Sequence, residues 1–142
     1  MEGYKAALAD HRIAFDPALV QEGDFFRPSG YAGACALLNL PDPPTAIFAA
    51  NDVMAFGVME AVRECNLRIP QDVSVMGFDD IPEAANVHPP LTTIQQPLEE
   101  MGRLATRMLL ERVNDPELAP RRIELPTKLI VRQSCQPPGG AI

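Results

Sequence analysis

The chain has 142 residues, of which 46% are hydrophobic and 22% are charged, as is typical of one soluble globular domain with its own core. Its formal net charge of −7 argues against nucleic-acid binding by this segment, because phosphate contacts need clustered Lys and Arg. No stretch approaches the roughly 18 consecutive apolar residues of a membrane span, and three widely spaced cysteines offer no paired metal-ligand spacing.

The first part of the chain predicts helices separated by a turn and a short strand. Residues 2–11 have helical spacing, and a turn at 16–17 precedes a strand expected at 18–20. Ser29 is expected to cap a second helix, because its hydroxyl can accept from a free amide of the first turn. The proline run that begins at Pro41 ends this helix.

The central part predicts alternating strands and helices. The continuous apolar segment 45–49 is typical of a strand buried on both faces. Asp52 is expected to cap the next helix, which runs to about Asn66, and further strands are predicted at 73–77 and 91–95. Strands separated by helices of about 10–15 residues indicate βαβ crossovers, so the predicted class is α/β with a parallel sheet flanked by helices.

The last part predicts a helix of a different kind. Residues 97–113 form an apolar stripe at helical spacing, with Pro97 in the first turn and the breaker sequence 114–116 at the end. An extended segment is expected at 123–132. The Pro/Gly-rich tail at 135–142 is expected to be disordered.

Polar and aromatic residues follow several of the predicted strands. Asn51 follows the strand 45–49, and Asp79, Gln96 and Phe25 occupy corresponding places in the chain. Ligands of open parallel sheets bind beyond the carboxyl ends of the strands. Carboxylates and amides suit the hydroxyl groups of a sugar, and an aromatic ring can cover its apolar face.

The same residue types are common at helix caps and in tight turns, which is the competing interpretation. For Asn51 and Asp79 the pattern leaves both roles open. For Asp52 and Asp80 it favours a cap and a turn respectively.

Catalysis is not predicted. His11 and His88 have no evident Ser or Cys partner, and the sequence contains no Gly-rich phosphate loop. We therefore expect no catalytic residue, no cofactor and no metal. The first residues show no signal peptide, so we expect a cytoplasmic location.

Three segments resemble motifs of the lactose/galactose-repressor family of transcription regulators. They are PTAIFAANDVMAFG at 44–57, IPQDVSVMGFDD at 69–80 and PPLTTIQQP at 89–97, with Met101-Gly102 beyond. They follow the family's order and spacing along nearly the whole chain, so together they are far more specific than any one alone. The resemblance implies a two-lobed core like that of periplasmic sugar-binding proteins, here mainly its C-terminal lobe.

The resemblance also implies how the chain is divided between the two lobes. Residues 1–96 would belong to the C-terminal lobe and residues 97–118 to a helix of the other lobe. Residues 119–134 would return as the final strand segment of the C-terminal lobe, and 135–142 would be the tail. The DNA-binding headpiece of the family would lie outside this sequence.

By resemblance, the chain would bind a small sugar or sugar phosphate between the lobes. Phe25 would stack on the ligand, Asn51 and Asp79 would form hydrogen bonds with it, and Gln96 would lie near the crossover between lobes. Operator DNA would be bound only through the headpiece, and no membrane partner is expected. Two alternatives stay open, a sugar-binding component of a transport system and a truncated stand-alone dimerisation module.

The helix after Asp52 suggests self-association. Residues 53–59 are apolar almost all round, more than one sheet-facing side requires. By resemblance this helix would lie in a homodimer interface, with Phe56 and Met59 as candidate contacts. The alternative is a helix buried inside a monomer.

Overall fold

The sheet consists of β1 (Ala46–Phe48), β2 (Ser74–Asp79), β3 (Thr92–Gln95) and β4 (Lys128–Ile130). The computed structural model describes residues 1–137, and within them the strands lie in the order β1-β2-β3-β4. β1, β2 and β3 are parallel, and β4 pairs antiparallel with β3. The predicted α/β class with a parallel sheet is confirmed, and β4 adds one antiparallel edge strand.

The four predicted helices are all present in the described part of the chain. They are α1 (Glu2–Asp10), α2 (Arg27–Leu38), α3 (Asp52–Glu64) and α4 (Leu98–Asn114). None of the helices in residues 1–137 combines the length and the apolar character needed to cross a membrane.

The core lies where α3 packs between α2 and the sheet. Two glycines allow the helices to cross closely. A Cβ atom at Gly57 would lie 2.1 Å from the carbonyl oxygen of Arg27, and one at Gly30 would lie 2.2 Å from that of Met54. Neither position leaves room for a side chain. The buried apolar residues form one cluster, which includes Ala34, Ile47, Ala55, Val58, Met59, Val62, Val75 and Leu91.

The strand predicted at 18–20 is wrong, since Pro17–Leu19 forms a 3₁₀ turn instead. The carboxylate of Asp16 accepts a hydrogen bond from the amide of Ala18 at 2.8 Å, and Pro17 holds the first residue of the turn at a helical φ. Local turn chemistry therefore prevails over the apolar pattern.

Two predicted helix caps are also wrong. α2 begins at Arg27, so Ser29 lies inside it. Its hydroxyl donates to the carbonyl of Phe26 at 2.9 Å instead of capping the helix. α3 is capped by Asn51, whose Oδ1 accepts from the amide of Met54 at 2.8 Å. Asp52 is the first helical residue and turns its side chain inward.

β1 is buried on one face only, which corrects the expectation of two buried faces. Ile47 is buried, whereas Phe48 is 57% exposed. Phe48 lines an open groove of about 820 Å³, to which Tyr4 of α1 and Val20 also contribute. In the described part of the chain β1 is therefore covered on one face only. It is also an edge strand, because it comes first in the strand order of the sheet.

α4 is present as predicted but covers nothing. None of its residues is buried, and its apolar stripe is open to solvent. The exposed large apolar side chains on it are Leu98, Met101, Leu109, Leu110 and Val113.

Residues 135–137 of the predicted tail at 135–142 lie in the described part of the chain and form contacts there. The thiol of Cys135 contacts the carbonyl of Val75 at 3.2 Å, and the amide of Gln136 donates to the hydroxyl of Ser74 at 3.1 Å. The expectation of disorder is therefore wrong for these residues, because they pack along β2. Residues 138–142 lie outside the described part.

Candidate functional site

The predicted ligand residues gather at the carboxyl ends of β1, β2 and β3. Asn51 follows β1, Asp79 ends β2 and Gln96 follows β3. Phe25 reaches the same edge from the loop before α2, where Asn51 contacts its backbone. The structure thus joins the four residues as two hydrogen-bonded pairs.

Asp79 and Gln96 form the first pair. The side-chain amide of Gln96 donates to Oδ1 of Asp79 at 2.6 Å, and its backbone amide donates to the carbonyl of Asp79 at 3.3 Å. Asp79 has φ 118°, a region that residues with a side chain rarely adopt. Such backbone strain persists only where the surroundings hold it, and it is concentrated at functional sites.

Asn51 and Phe25 form the second pair. The side-chain amide of Asn51 donates to the carbonyl of Phe25 at 3.0 Å, while its oxygen caps α3. Phe25 has φ 68°, and its side chain is 63% exposed. Of the two roles that the sequence pattern left open for Asn51, the structure shows the helix cap. One amide hydrogen and one lone pair remain for a ligand.

Asp52 connects the elements behind these pairs, a role that the sequence argument missed. It is 0% exposed, and Thr93 Oγ1 donates to its Oδ1 at 2.5 Å. The amide of Ile81 donates to its Oδ2 at 2.9 Å. Burial raises the pKa of the Asp52 carboxyl, although the hydrogen bond from Thr93 opposes this effect.

A sequence signal for this buried carboxylate did exist. Asp52, Ala55, Met59 and Val62 follow helical spacing and therefore share one face of α3. The three apolar members of that face are fully or almost fully buried. An aspartate on the buried stripe of a helix indicates an internal bond and not a cap.

The side chain of Asp80 forms an ion pair with Arg132. The Arg132 guanidinium donates to Asp80 Oδ1 at 2.6 Å and to the carbonyl of Leu91 at 2.8 Å. The side-chain amide of Gln95 donates to Asp80 Oδ2 at 2.8 Å. Both charged side chains are largely buried, at 19% and 10% exposed. Asp80 is thus fully engaged within the chain, and Arg132 is a second residue that the sequence argument missed.

Met59 and Phe56, the two residues expected at a dimer interface, differ in how far they are buried. Met59 is only 1% exposed and belongs to the core of a single chain, so it does not form part of an outer surface. It lies on the side of α3 that faces the packed elements. Phe56 is half-buried at the margin of the core and keeps a part that another chain can contact.

The side chains at this edge are of types that can form hydrogen bonds and apolar contacts with a small molecule. The edge presents the Asp79 carboxylate, side-chain amides and an exposed aromatic ring, a set that can form hydrogen bonds with hydroxyl groups and cover an apolar face. Among residues 1–137, no group of three or more His, Cys, Asp or Glu side chains is arranged to hold a metal ion.

Residues 1–135 match the family of periplasmic binding protein-like domains. The ribose operon repressor of Haemophilus influenzae is 40% identical over 134 residues, which are 94% of this chain and 40% of that protein. A structure of the transcriptional regulator CelR in complex with cellobiose has a TM-score of 0.89 at 40% identity, covering 94% of this chain and 41% of that chain. A LacI family regulator from Enterococcus faecium with bound ribose has a TM-score of 0.86 at 34% identity, over 96% and 50% respectively.

The chain therefore spans about 40% of the length of the curated relative. These relatives are named as transcriptional repressors and regulators, which agrees with the prediction that the chain is not an enzyme.

Proposed function

Since this chain belongs to the LacI/GalR family of regulators and matches its periplasmic binding protein-like domain, we propose that it senses a small sugar-like effector. The observation that carries the proposal is the strained, half-buried Asp79 carboxylate paired with Gln96 at the carboxyl edge of the sheet. Buried or half-buried carboxylates with a free lone pair bind sugar hydroxyls strongly, because hydrogen bonds to a charged group are the stronger ones.

Asn51 and Phe25 complete the proposed contact surface. The free amide hydrogen of Asn51 would donate to a second hydroxyl, and the exposed Phe25 ring would cover an apolar sugar face. Support comes from two structurally similar proteins, whose structures contain cellobiose and ribose. The effector of this chain would accordingly be a sugar or sugar phosphate.

The proposal extends to a second lobe in a protein as long as the relatives. Residues 1–96 and 119–134 would form one lobe, while 97–118 would belong to the other, and the effector would bind between them. The exposed stripe of α4 supports this, because a helix with such a stripe needs another surface to cover. Effector binding would bias the closure of the lobes and, through a DNA-binding headpiece, the affinity for operator DNA.

Calorimetric titration with D-ribose, cellobiose and sucrose tests the effector site. Replacing Asp79 with alanine should weaken the binding of the recognised sugar roughly tenfold or more, because losing a hydrogen bond to a charged group costs about 1.5–3 kcal/mol. Asp42→Ala is the matched control, since this exposed aspartate precedes the opposite, amino end of β1. Equal binding by Asp79→Ala and the unmodified chain would contradict the site. Because the effector would bind between two lobes, failure of a protein that contains both lobes to bind these sugars or their phosphates would contradict the proposed function.

We also propose that the chain by itself associates with a second copy, which would cover the stripe of α4 and touch Phe56. Five large apolar side chains exposed along one helix form a patch of the kind that marks interaction surfaces. Light scattering at micromolar concentration should give a dimer or a larger assembly for the unmodified chain. Leu109→Lys should shift it to monomer, whereas Arg112→Lys on the same helix should not. A monodisperse monomer of the unmodified chain would exclude the association.

A further inference from the structure

The carboxylate of Asp52 lies at the meeting point of three elements. It starts α3, its Oδ1 accepts from the hydroxyl of Thr93 on β3, and its Oδ2 accepts from the amide of Ile81 in the turn after β2. Each oxygen therefore holds a different element. A single rigid group fixes the separation of these three chain segments.

The contacts of Asp52 are adjacent to the proposed ligand residues. Asn51 immediately precedes Asp52, Asp79 lies two residues before Ile81, and Gln96 lies three residues after Thr93. Phe25 is connected through its carbonyl to the Asn51 amide. Asp79 and Gln96 are thus close in the chain to the two groups that this carboxylate holds, whereas Asn51 adjoins Asp52 itself and is bonded to Phe25.

The surroundings of Asp52 leave it little freedom. A Cβ atom added at Gly77 of β2 would lie 2.2 Å from Oδ1, so the strand presses directly against the carboxylate. The ion pairs found in residues 1–137 do not include Asp52. A buried carboxylate without a cation is unfavourable compared with a well-packed apolar group, and its hydrogen bonds are what keep it in place. A gain in the free energy of folding therefore does not explain why an aspartate occupies this position.

We propose that Asp52 is a positioning residue of the effector site, which sets Asn51 and the Asp79–Gln96 pair at the spacing that the effector requires. This rests on the proposed function for the identity of the site. The residue does not touch the effector, because it is 0% exposed behind the edge of the sheet. It acts by aligning donors and acceptors that belong to three different segments.

NMR spectra of the ligand-free chain test the positioning role without any sugar. Thr93→Val removes the donor to Oδ1, and Asp52→Asn keeps the shape of the side chain but loses one acceptor. Both should shift the side-chain amide signal of Asn51 together with the backbone amide of Ile81. Both should also increase hydrogen exchange at Ile81 about tenfold or more, as its bond to the carboxylate weakens.

Two further variants separate positioning from a general loss of stability. Thr93→Ser keeps the hydroxyl and should restore both signals. Val62→Ala disturbs the same buried face of α3 without touching the carboxylate and should leave both signals in place. The pair Thr93→Val and Thr93→Ser decides the outcome even if Asp52→Asn fails to fold. Signals of Asn51 that stay unchanged in Thr93→Val, or that change equally in Val62→Ala, would overturn the proposal.

Sugar titration provides the second arm. For whichever of D-ribose, cellobiose or sucrose the unmodified chain binds, Thr93→Val should weaken binding at least about tenfold, and Thr93→Ser should return it to within about twofold. Undiminished affinity in Thr93→Val would overturn the positioning role. If the unmodified chain binds none of these sugars, the ligand-free spectra alone decide whether Asp52 sets the geometry of this edge, and the proposed function is tested separately on a protein that contains both lobes.

Discussion

α3 and α4 both carry a row of apolar side chains at helical spacing, yet these side chains are buried in α3 and exposed in α4. Eight of the 13 residues of α3 are buried, whereas none of the 17 residues of α4 is. α3 lies between α2 and the sheet and carries much of the core. α4 keeps its apolar stripe in solvent. An apolar stripe therefore predicts a helix and the face it would bury, but it does not say whether a surface is available to cover that face.

The largest expected difference between the two helices concerns deletion of an apolar side chain. Met59→Ala on α3 should lower the free energy of unfolding by about 2–5 kcal/mol, because it removes a fully packed side chain and leaves a cavity. Leu109→Ala on α4 should change it by less than about 0.5 kcal/mol, because that side chain is already 63% exposed. Urea denaturation at submicromolar concentration, where association is weak, measures both.

A concentration series sharpens this first comparison. If a second chain covers α4, the stability of the unmodified protein should rise with protein concentration, and Leu109→Ala should reduce that rise. A loss of several kcal/mol for Leu109→Ala in the dilute, monomeric chain would break the comparison, since it would mean that α4 packs against its own chain.

A smaller difference is expected when the glycines of the two helices are replaced by alanine, since the free energy of unfolding should fall for α3 and rise for α4. Gly57→Ala on α3 should destabilise the chain by about 1–3 kcal/mol, because the new Cβ would meet backbone atoms of α2 that cannot rotate away. Gly102→Ala on α4 should stabilise it by roughly 0.5–1 kcal/mol, because alanine favours a helix and a Cβ there meets nothing within 4 Å.

Gly3 provides a control for the glycine comparison. It lies in the exposed helix α1, and a Cβ there also meets nothing within 4 Å. Gly3→Ala should therefore act in the same direction as Gly102→Ala in thermal or urea unfolding. Stabilisation by Gly57→Ala would mean that α2 and α3 are separated in solution, which would contradict the packing described above.

The candidate site was predicted in part. The strand-end rule brought Asn51, Asp79 and Gln96 to one edge of the sheet, because parallel strands end together whatever their side chains contact. Their effector-binding roles stay a prediction. The expected strand at 18–20 failed because an Asp-Pro turn is a local competitor that the apolar pattern does not reveal.

The roles of Asp52 and Met59 were assigned differently by the sequence argument. Asp52 was expected to cap α3, but Asn51 does so. The two candidates differ by one residue, and hydrophobic periodicity does not locate the start of a helix to within one residue. Met59 was expected at a dimer interface. A nearly uniform apolar helix does not say which of its sides faces its own chain and which faces a partner.

By itself the sequence determined the order of the four helices and of the strands β1, β2 and β3, together with the parallel pairing of these three strands. These follow from hydrophobic periods and breakers, which act over a few residues. The tertiary structure decided what happens across the chain. It set the antiparallel pairing of β4, the burial of Asp52 under Thr93 and Ile81, and the ion pair between Asp80 and Arg132, 52 residues apart. Helical spacing places Asp52 on the buried face of α3, but it does not identify the partners of the carboxylate. Contacts between distant segments form only when these segments pack together, so no local pattern encodes which residues meet.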